Sequence, residues 1–136
     1  MSRPFRYPRR VEFRDTDAAG IAHFSTFFPF MEEAEHAFLR ARGLSVLMHD
    51  SAGAISWPRV SVKCDYKSPV KFEDMLTIEV VLARVGEKSV AYTFTFTCDD
   101  RLVAVGEITA VCCRVALGAA PKSMRIPDDI RAKLIN

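Results

Sequence analysis

The sequence predicts an α+β domain in which one long helix is wrapped by a five-stranded antiparallel sheet. Three observations carry this prediction. Apolar residues between positions 25 and 42 recur with helical spacing and cover an arc of roughly 200°, which suits a helix embraced by a curved sheet. Later segments alternate apolar and polar side chains, as strands with one buried face do. The connections between the last strands are too short for parallel crossovers, so these strands are expected to run antiparallel.

The helix is bounded by residues that commonly begin and end helices. Ser25 or Thr26 is expected to cap its N-terminus, and Gly43 is expected to end it after Arg42. Pro29 falls in the first turn, where backbone N–H groups have no partner within the helix.

The expected strands lie on both sides of this helix. Residues 5–14 alternate as a first strand, and a turn-rich loop follows at residues 15–20. After the helix, residues 45–54 are expected to be irregular or helical, and the tail is expected to hold one helical turn after Pro127. The remaining strands, expected in antiparallel succession, lie at residues 60–67, 77–82, 90–98 and 102–115.

Length and composition limit the classes of protein. With 136 residues, 49% of them hydrophobic, the chain is expected to form a single domain over residues 1–136 with a real core. A net charge of only +2 argues against a nucleic-acid binder. No stretch approaches the roughly 20 apolar residues of a membrane span, and the basic N-terminus lacks the apolar segment of a secretory signal. We therefore expect no membrane partner and a cytoplasmic location, where the four cysteines stay free thiols.

The loop before the helix is the strongest candidate for chemistry. Asp15, Asp17 and Gly20 form a D-x-D-x-x-G pattern that leads into the helix N-terminus. The first N–H groups of a helix lack partners and carry partial positive charge, so they can stabilise an oxyanion in acyl transfer. A carboxylate on this loop can attack the same carbonyl or activate a water. The alternative is that both aspartates only stabilise turns, as Asp often does.

The chain resembles the 4-hydroxybenzoyl-CoA thioesterase family over roughly residues 7–115. The resemblance rests on the segment VEFRDTDAAGI at residues 11–21, followed by an aromatic-rich helix that bears Glu32. Further similar segments follow in the same order: WPRV at residues 57–60, DMLTIE at 74–79 and KSV at 88–90. The resemblance implies a hot-dog fold and an acyl-CoA thioesterase, because the loop pattern is typical of the branch whose catalytic carboxylate lies there.

The resemblance also implies roles for particular residues. Asp17 matches the catalytic carboxylate, with its role as nucleophile or general base left open, and the backbone N–H of Phe24 matches the group that polarises the thioester carbonyl. The loop is expected to be shaped by Gly20. His23 departs from the common pattern, and it is expected either to line the site or to pack and cap. The resemblance further implies that this chain forms a homodimer or homotetramer, because relatives build each active site from two subunits.

A helix carboxylate is the rival to Asp17. Glu35 lies within the apolar arc of the helix, and a second branch of hot-dog thioesterases uses a helix carboxylate as its catalytic group. An ion pair with Arg42 or a dimer contact would equally explain a polar residue there. A hot-dog dehydratase that acts on an acyl carrier protein, with His23 and Glu35 as its pair, and a non-catalytic acyl-binding protein remain alternatives.

The substrate is expected to be an acyl-CoA with a compact, aromatic acyl group. Trp57 and the aromatic residues at the start of the helix would surround the acyl end with flat side chains. Lys88 and Ser89 match a position where relatives contact the nucleotide, and Arg59 is a weaker candidate for a phosphate or a substrate hydroxyl. Short-chain aliphatic acyl-CoAs are the alternative. No pattern for a metal or a dinucleotide is present, so no cofactor is expected beyond the coenzyme A of the substrate.

Overall fold

The computed structural model of the protein describes residues 4–136. Two helices and nine strands are formed within this range. In chain order they are β1 (Phe5–Arg10), α1 (Phe27–Ala41), β2 (Met48–Asp50), β3 (Gly53–Ser56), β4 (Arg59–Tyr66), β5 (Met75–Val85), β6 (Ser89–Cys98), β7 (Arg101–Val111), β8 (Cys113–Val115), β9 (Lys122–Ser123) and α2 (Asp128–Ile135).

The main sheet has the five antiparallel strands that the sequence predicts. Its order is β1-β5-β6-β7-β4, with all neighbours antiparallel. The strands after the helix do not pair in simple succession, however. The first main-sheet strand after the helix, β4, pairs with β7 at one edge, while β1 pairs with β5 at the other edge. The end of β4 therefore becomes an edge of the sheet, beside the loop that contains Asp17.

Helix α1 packs across one face of this sheet. Its buried residues include Phe30, Met31 and Phe38, which contact the apolar faces of the central strands. Gly106 on β7 permits the close approach, because a side chain at this position would collide with the sulfur of Met31 and crowd the carbonyl of Lys63. The packing anchors the middle of α1 and so fixes where its N-terminus points.

The two ends of the helix differ in how well the sequence predicts them. At the C-terminal end, Gly43 has a φ of 72° and its N–H donates to the Arg40 carbonyl, as predicted for a glycine stop. At the N-terminal end, a short 3₁₀ turn (Phe24–Thr26) precedes α1, and the side chain of Thr26 does not cap the helix. The capping side chain is His23, whose ring accepts from the Ser25 N–H at the start of that 3₁₀ turn.

Three further segments depart from the prediction. The first strand ends at Arg10 rather than at residue 14, because a 3₁₀ turn (Phe13–Asp15) closed by a reciprocal Glu12–Asp15 capping box follows it. Residues 45–54 are neither helical nor wholly irregular, since β2 and most of a β2–β3 hairpin lie there. The tail forms eight helical residues in α2, which docks through Ile130 and Leu134.

The expected strand over residues 102–115 is in fact two strands. It is interrupted at Cys112, after which β8 joins a second small sheet of order β2-β3-β8-β9. No helix among residues 4–136 is both long and apolar enough to cross a membrane.

Candidate active site

An open groove of about 490 Å³ lies where the loop, the start of α1 and the end of β4 meet. Both residues that the sequence assigns to catalysis, Asp17 and Phe24, line it. The complete lining consists of Asp17, Ile21, Ala22, Phe24, Phe27, Tyr66, Lys67, Ser68, Pro69 and Val70. The walls are mainly apolar, so the groove suits a carbon-rich ligand that presents a polar reacting group to Asp17.

The loop holds Asp17 through a tight turn. The Asp17 N–H donates to the Ile21 carbonyl at 2.9 Å, and the Gly20 N–H donates to the Asp17 carbonyl at 2.9 Å. Gly20 has a φ of 81°, a conformation that a side chain would disfavour. The Ala19 N–H donates to Oδ1 of Asp17 at 2.9 Å, whereas no hydrogen bond among the described residues reaches Oδ2. One carboxylate oxygen of Asp17 therefore stabilises the turn, and the other has no hydrogen bond among the described residues.

The neighbouring aspartate has a structural role. Asp15 is only 6% exposed, and its Oδ2 accepts from the Glu12 N–H at 2.8 Å and from Nη1 of Arg9 at 3.1 Å. Its backbone carbonyl accepts from the His23 N–H at 2.8 Å. Asp15 thus ties the loop to β1 and to the segment before the helix, and its carboxylate is engaged in these bonds.

The amide of Phe24 is placed as an oxyanion donor would be. Phe24 is the first residue of the 3₁₀ turn, and no described residue accepts a hydrogen bond from its N–H. Its side chain is 62% exposed and stacks on the His23 ring at a centroid distance of 4.5 Å. A backbone N–H without an acceptor and a carboxylate therefore belong to residues that line one groove, and these are the kinds of group that acyl transfer uses.

His23 acts as a cap in this chain. Its Nδ1 lies 2.8 Å from the Ser25 hydroxyl and accepts from the Ser25 N–H at 3.2 Å. His23 is not among the residues that line the groove. Within one subunit it therefore packs and caps, which is the second of the two roles expected from the sequence.

The predicted site residues that follow the helix lie away from Asp17. Trp57 is 5% exposed and belongs to the core. Arg59 donates from Nη1 to the Trp57 carbonyl at 2.9 Å and forms an ion pair through Nη2 with Glu35. Arg59 also lines a second, smaller groove of about 260 Å³, with Phe28, Pro29, Glu32, Val62 and Ile108.

Glu35 is buried beneath this second groove. It is 1% exposed, and its partner is Arg59 rather than Arg42, whose guanidinium lies over the Phe38 ring at 4.4 Å. Burial raises the pKa of Glu35 to about 7, against the opposing effect of the Arg59 charge. Tyr92 is also buried, and this burial together with the nearby Glu35 charge raises the pKa of Tyr92 far above its ordinary value. Among the described hydrogen bonds none joins Glu35 to His23, so the pair required for a dehydratase is not assembled within one chain.

Lys88 and Ser89 lie at the opposite end of the sheet from Asp17. Along β7, Ala104 pairs with Tyr66 at the groove, whereas Val111 pairs with Ser89. Seven residues of extended strand separate these positions, which is about 23 Å. The Lys88 side chain is exposed, and its carbonyl accepts from the Cys112 N–H at 2.7 Å. A single subunit therefore does not bring these two residues to the groove.

Sequence reasoning missed the wall of the groove formed by Tyr66, Lys67 and Val70. Tyr66 and Lys67 end the predicted alternating strand and Val70 follows it, and this alternation predicts a strand without indicating a groove wall. Their proximity to Asp17 arises because the Ala22 N–H donates to the Val70 carbonyl at 2.7 Å and because the Tyr66 hydroxyl donates to the Phe24 carbonyl at 2.7 Å. Among residues 4–136, no group of three or more His, Cys, Asp or Glu side chains is arranged to hold a metal ion.

Known proteins resemble this chain over most of its length. The family model of the thioesterase-like superfamily matches residues 11–134. A protein of Aquifex aeolicus (strain VF5) with a provisional esterase name is 31% identical over 127 residues, which cover 93% of this chain and 94% of that protein. The 1,4-dihydroxy-2-naphthoyl-CoA hydrolase of Nostoc punctiforme (strain ATCC 29133 / PCC 73102) is 28% identical over 127 residues, which cover 93% of this chain and 83% of that protein.

Solved structures share the fold. A gentisyl-coenzyme A thioesterase superposes with a TM-score of 0.81 at 28% identity, covering 96% of this chain and 99% of that chain. The 4-hydroxybenzoyl CoA thioesterase of Pseudomonas sp. strain CBS-3 superposes with a TM-score of 0.83 at 20% identity, covering 97% of this chain and 99% of that chain. The second likeness concerns the fold alone. The predicted hot-dog fold and the predicted family resemblance are thereby confirmed.

The buried carboxyl makes a testable contribution to the pH dependence of stability. The pKa of Glu35 is about 7 in the folded chain and 4.5 in the reference state, so the folded protein holds this proton more tightly than the unfolded protein does. Relative to Glu35→Gln, wild-type stability should be greatest below about pH 4.5 and should fall as the pH rises through about 7. The free energy of unfolding of the wild type minus that of Glu35→Gln should fall by about 3 kcal/mol between low and high pH. Chemical denaturation of both proteins from about pH 4 to about pH 9 measures it.

Glu32→Gln is the matched control for that experiment. Glu32 lies on the same helix and 3.8 Å from the same Arg59 guanidinium, but its side chain is 57% exposed. It should show a much smaller pH dependence. If wild-type stability instead rises relative to Glu35→Gln across this range, the ion pair outweighs burial and the direction given for the Glu35 pKa is wrong.

Proposed function

The chain belongs to the thioesterase-like superfamily and is a thioester hydrolase, and from this premise we propose that it cleaves acyl-CoA with Asp17 as its catalytic carboxylate. The observation that carries the proposal is the shared groove: Asp17 and Phe24 line the same cavity, and among the described residues Oδ2 of Asp17 has no donor and the Phe24 N–H has no acceptor. The mechanism uses no cofactor, since coenzyme A enters as part of the substrate. The proposed compartment is the cytoplasm, where the four free thiols remain reduced.

The proposed reaction begins with the thioester carbonyl oxygen accepting a hydrogen bond from the Phe24 N–H. In one form, Asp17 attacks the carbonyl carbon, the C–S bond breaks, and coenzyme A leaves as a thiolate that takes a proton from solvent. Water then hydrolyses the resulting anhydride and regenerates Asp17. In the other form, Asp17 removes a proton from a water whose oxygen attacks the same carbon. Both forms give a carboxylate and free coenzyme A.

Replacing Asp17 with Asn tests this proposal. Asn retains the oxygen that accepts from the Ala19 N–H, so the turn and the fold should persist, but it is neither a nucleophile nor a base. Turnover should fall about a thousandfold or more while acyl-CoA binding is nearly retained. Release of free thiol from a panel of acyl-CoAs is the measurement, with the thermal midpoint as a check of folding.

The same assay separates the competing functions. Full activity of Asp17→Asn together with its loss in Glu35→Gln would transfer the catalytic role to the helix. Hydration without thiol release would favour the dehydratase. Binding without either reaction would favour a non-catalytic acyl-binding protein.

For the acyl group, we favour aromatic or other compact groups over long aliphatic chains. Phe24 and Phe27 line the groove, and Phe27 makes edge-to-face contacts with Tyr66 and Phe96 at centroid distances of 5.2 Å. Such faces favour flat ligands by about 0.5–1.5 kcal/mol beyond burial. Two relatives at 28% identity are named for aryl-CoA substrates, dihydroxynaphthoyl and gentisyl, which supports the same choice. Short-chain aliphatic acyl-CoA is the second candidate, since a relative at 28% identity is named only acyl-CoA thioester hydrolase.

A substrate series tests the acyl preference. We expect kcat/KM for benzoyl-CoA or hydroxybenzoyl-CoA to exceed that for butyryl-CoA and palmitoyl-CoA by at least about tenfold, or about 1.4 kcal/mol of transition-state discrimination. Equal values across the series, or values that rise with chain length, would reject the aryl preference and leave the thioesterase intact.

We further propose that the active form is a homodimer or homotetramer built through the β4 edge. This edge carries exposed apolar side chains at Val60, Val62 and Tyr66, which are 62%, 43% and 45% exposed. An exposed strand of this kind is a template for pairing with another chain. Pairing would enclose the open groove, and it would allow Lys88 of a different subunit to reach the nucleotide that a single subunit leaves about 23 Å away.

A charge on this edge should disrupt the assembly. Val62→Lys is expected to shift the protein toward monomers and to reduce turnover with it, because the added ammonium must be desolvated for pairing. Leu117→Lys is the matched control, since Leu117 is fully exposed and lies outside the main sheet. Light scattering after gel filtration reports the mass. A wild-type protein that is monomeric and fully active at micromolar concentration would contradict this assembly.

A further inference from the structure

The hydroxyl of Thr26 is used in an unexpected way. Thr26 occupies the N-cap position of α1, where a Thr hydroxyl usually accepts from the helix backbone, yet it forms no such bond. It donates backward instead, to the His23 carbonyl at 2.6 Å. The Thr26 N–H donates to the same carbonyl at 2.9 Å. Two donors therefore converge on one backbone oxygen directly before the catalytic helix.

That oxygen belongs to the peptide unit that contains the Phe24 N–H. The His23 carbonyl and the Phe24 N–H are the two ends of a single planar amide, so charge drawn to the oxygen leaves the N–H more positive. Hydrogen bonds in such a chain polarise one another. The convergence on His23 thus strengthens the Phe24 N–H as a donor and restricts rotation of its plane.

A second hydroxyl holds the other side of the same residue. The Tyr66 hydroxyl donates to the Phe24 carbonyl at 2.7 Å, and its ring packs edge-to-face on Phe27 at 5.2 Å. Burial raises the pKa of Tyr66 to about 12, with contributions from Cys64, so the hydroxyl keeps its proton in ordinary buffers. Phe24 is therefore fixed through both flanking peptides, by Thr26 on one side and by Tyr66 on the other.

We propose that Thr26 and Tyr66 are positioning residues that hold and polarise the Phe24 amide as the oxyanion donor for thioester hydrolysis. This inference rests on the proposed function, because it gives the Phe24 N–H its role. Neither hydroxyl is placed as a nucleophile or a base: each acts through the backbone of Phe24. The two come from different parts of the chain, the helix N-terminus and the end of the edge strand β4, and both must be in place for the donor to point into the groove.

The kinetic test uses variants that differ by single groups. Thr26→Val removes the hydroxyl at nearly constant volume and should lower kcat about tenfold with KM changed by less than about twofold, since it weakens a transition-state donor without removing it. Thr26→Ser keeps the hydroxyl and should retain most of kcat. Tyr66→Phe should resemble Thr26→Val, and the double variant should lose less than the product of the two, because both act on one amide.

A spectroscopic test separates this role from a general structural one. Asp17→Asn should hold benzoyl-CoA without cleaving it, and an isotope-labelled thioester carbonyl can be followed by infrared difference spectroscopy. Its stretch should lie below the value in solution. Adding Thr26→Val should move it back toward that value. Thr16→Val is the matched control, because the Thr16 hydroxyl makes the same backward bond, to the Phe13 carbonyl at 2.6 Å, on a peptide that has no part in the groove.

The outcomes distinguish this inference from the proposed function. If the wild-type protein hydrolyses acyl-CoA but Thr26→Val leaves kcat unchanged, the positioning role alone is overturned. The same holds if Thr26→Val leaves the carbonyl stretch unchanged. An equal shift of the stretch in Thr16→Val also overturns it. Absence of acyl-CoA hydrolysis by the wild-type protein, or full activity of Asp17→Asn, overturns the assignment of the groove and the positioning role with it.

Discussion

The guanidinium of Arg9 is the contact on which the candidate site depends. Its Nε donates to Glu33 on α1 at 2.8 Å, its Nη1 donates to Asp15 at 3.1 Å, and the group lies over the Phe30 ring at 4.6 Å. The side chain is 13% exposed, so solvent competes weakly for these bonds. Arg9 thereby joins β1, the loop and the helix at one point. Charge-assisted bonds to two carboxylates in fixed directions are what the planar guanidinium favours, and Lys would not reproduce them.

The two aspartates of the loop have different roles because of this contact. Asp15 satisfies Arg9 and the 3₁₀ turn, and through its backbone carbonyl it also fixes His23. Asp17 lies two residues further on, and among the described bonds its carboxylate accepts only from the Ala19 N–H and has no contact with Arg9. One carboxylate thus provides rigidity and the other remains accessible. The two aspartates of the D-x-D pattern therefore differ in their contacts, and their spacing in the sequence does not show which carboxylate remains accessible.

Much of the fold and the loop could be predicted from sequence because the signals are local. The period of the helix, the stop at Gly43 and the loop with Gly20 depend on neighbouring residues. The order of strands in the sheet depends on distant pairing, and so the edge position of β4 was not predictable. The β2–β3 hairpin was missed because strands of three and four residues are too short to show alternation. The ion pair of Glu35 with Arg59 was missed because 24 residues and a change of element separate them.

The edge strand β4 connects the two grooves of the molecule. At its start, Arg59 meets the buried Glu35 and lines the smaller groove, and at its end Tyr66 holds Phe24 in the larger one. An antiparallel partner strand would reverse this order, so it would bring the start of one β4 toward the end of the other. The larger groove of one subunit would then face the smaller groove of the next. On the proposed pairing, Arg59 and Val62 of a second copy would complete the open side of the Asp17 groove, and turnover would depend on the same edge that drives association.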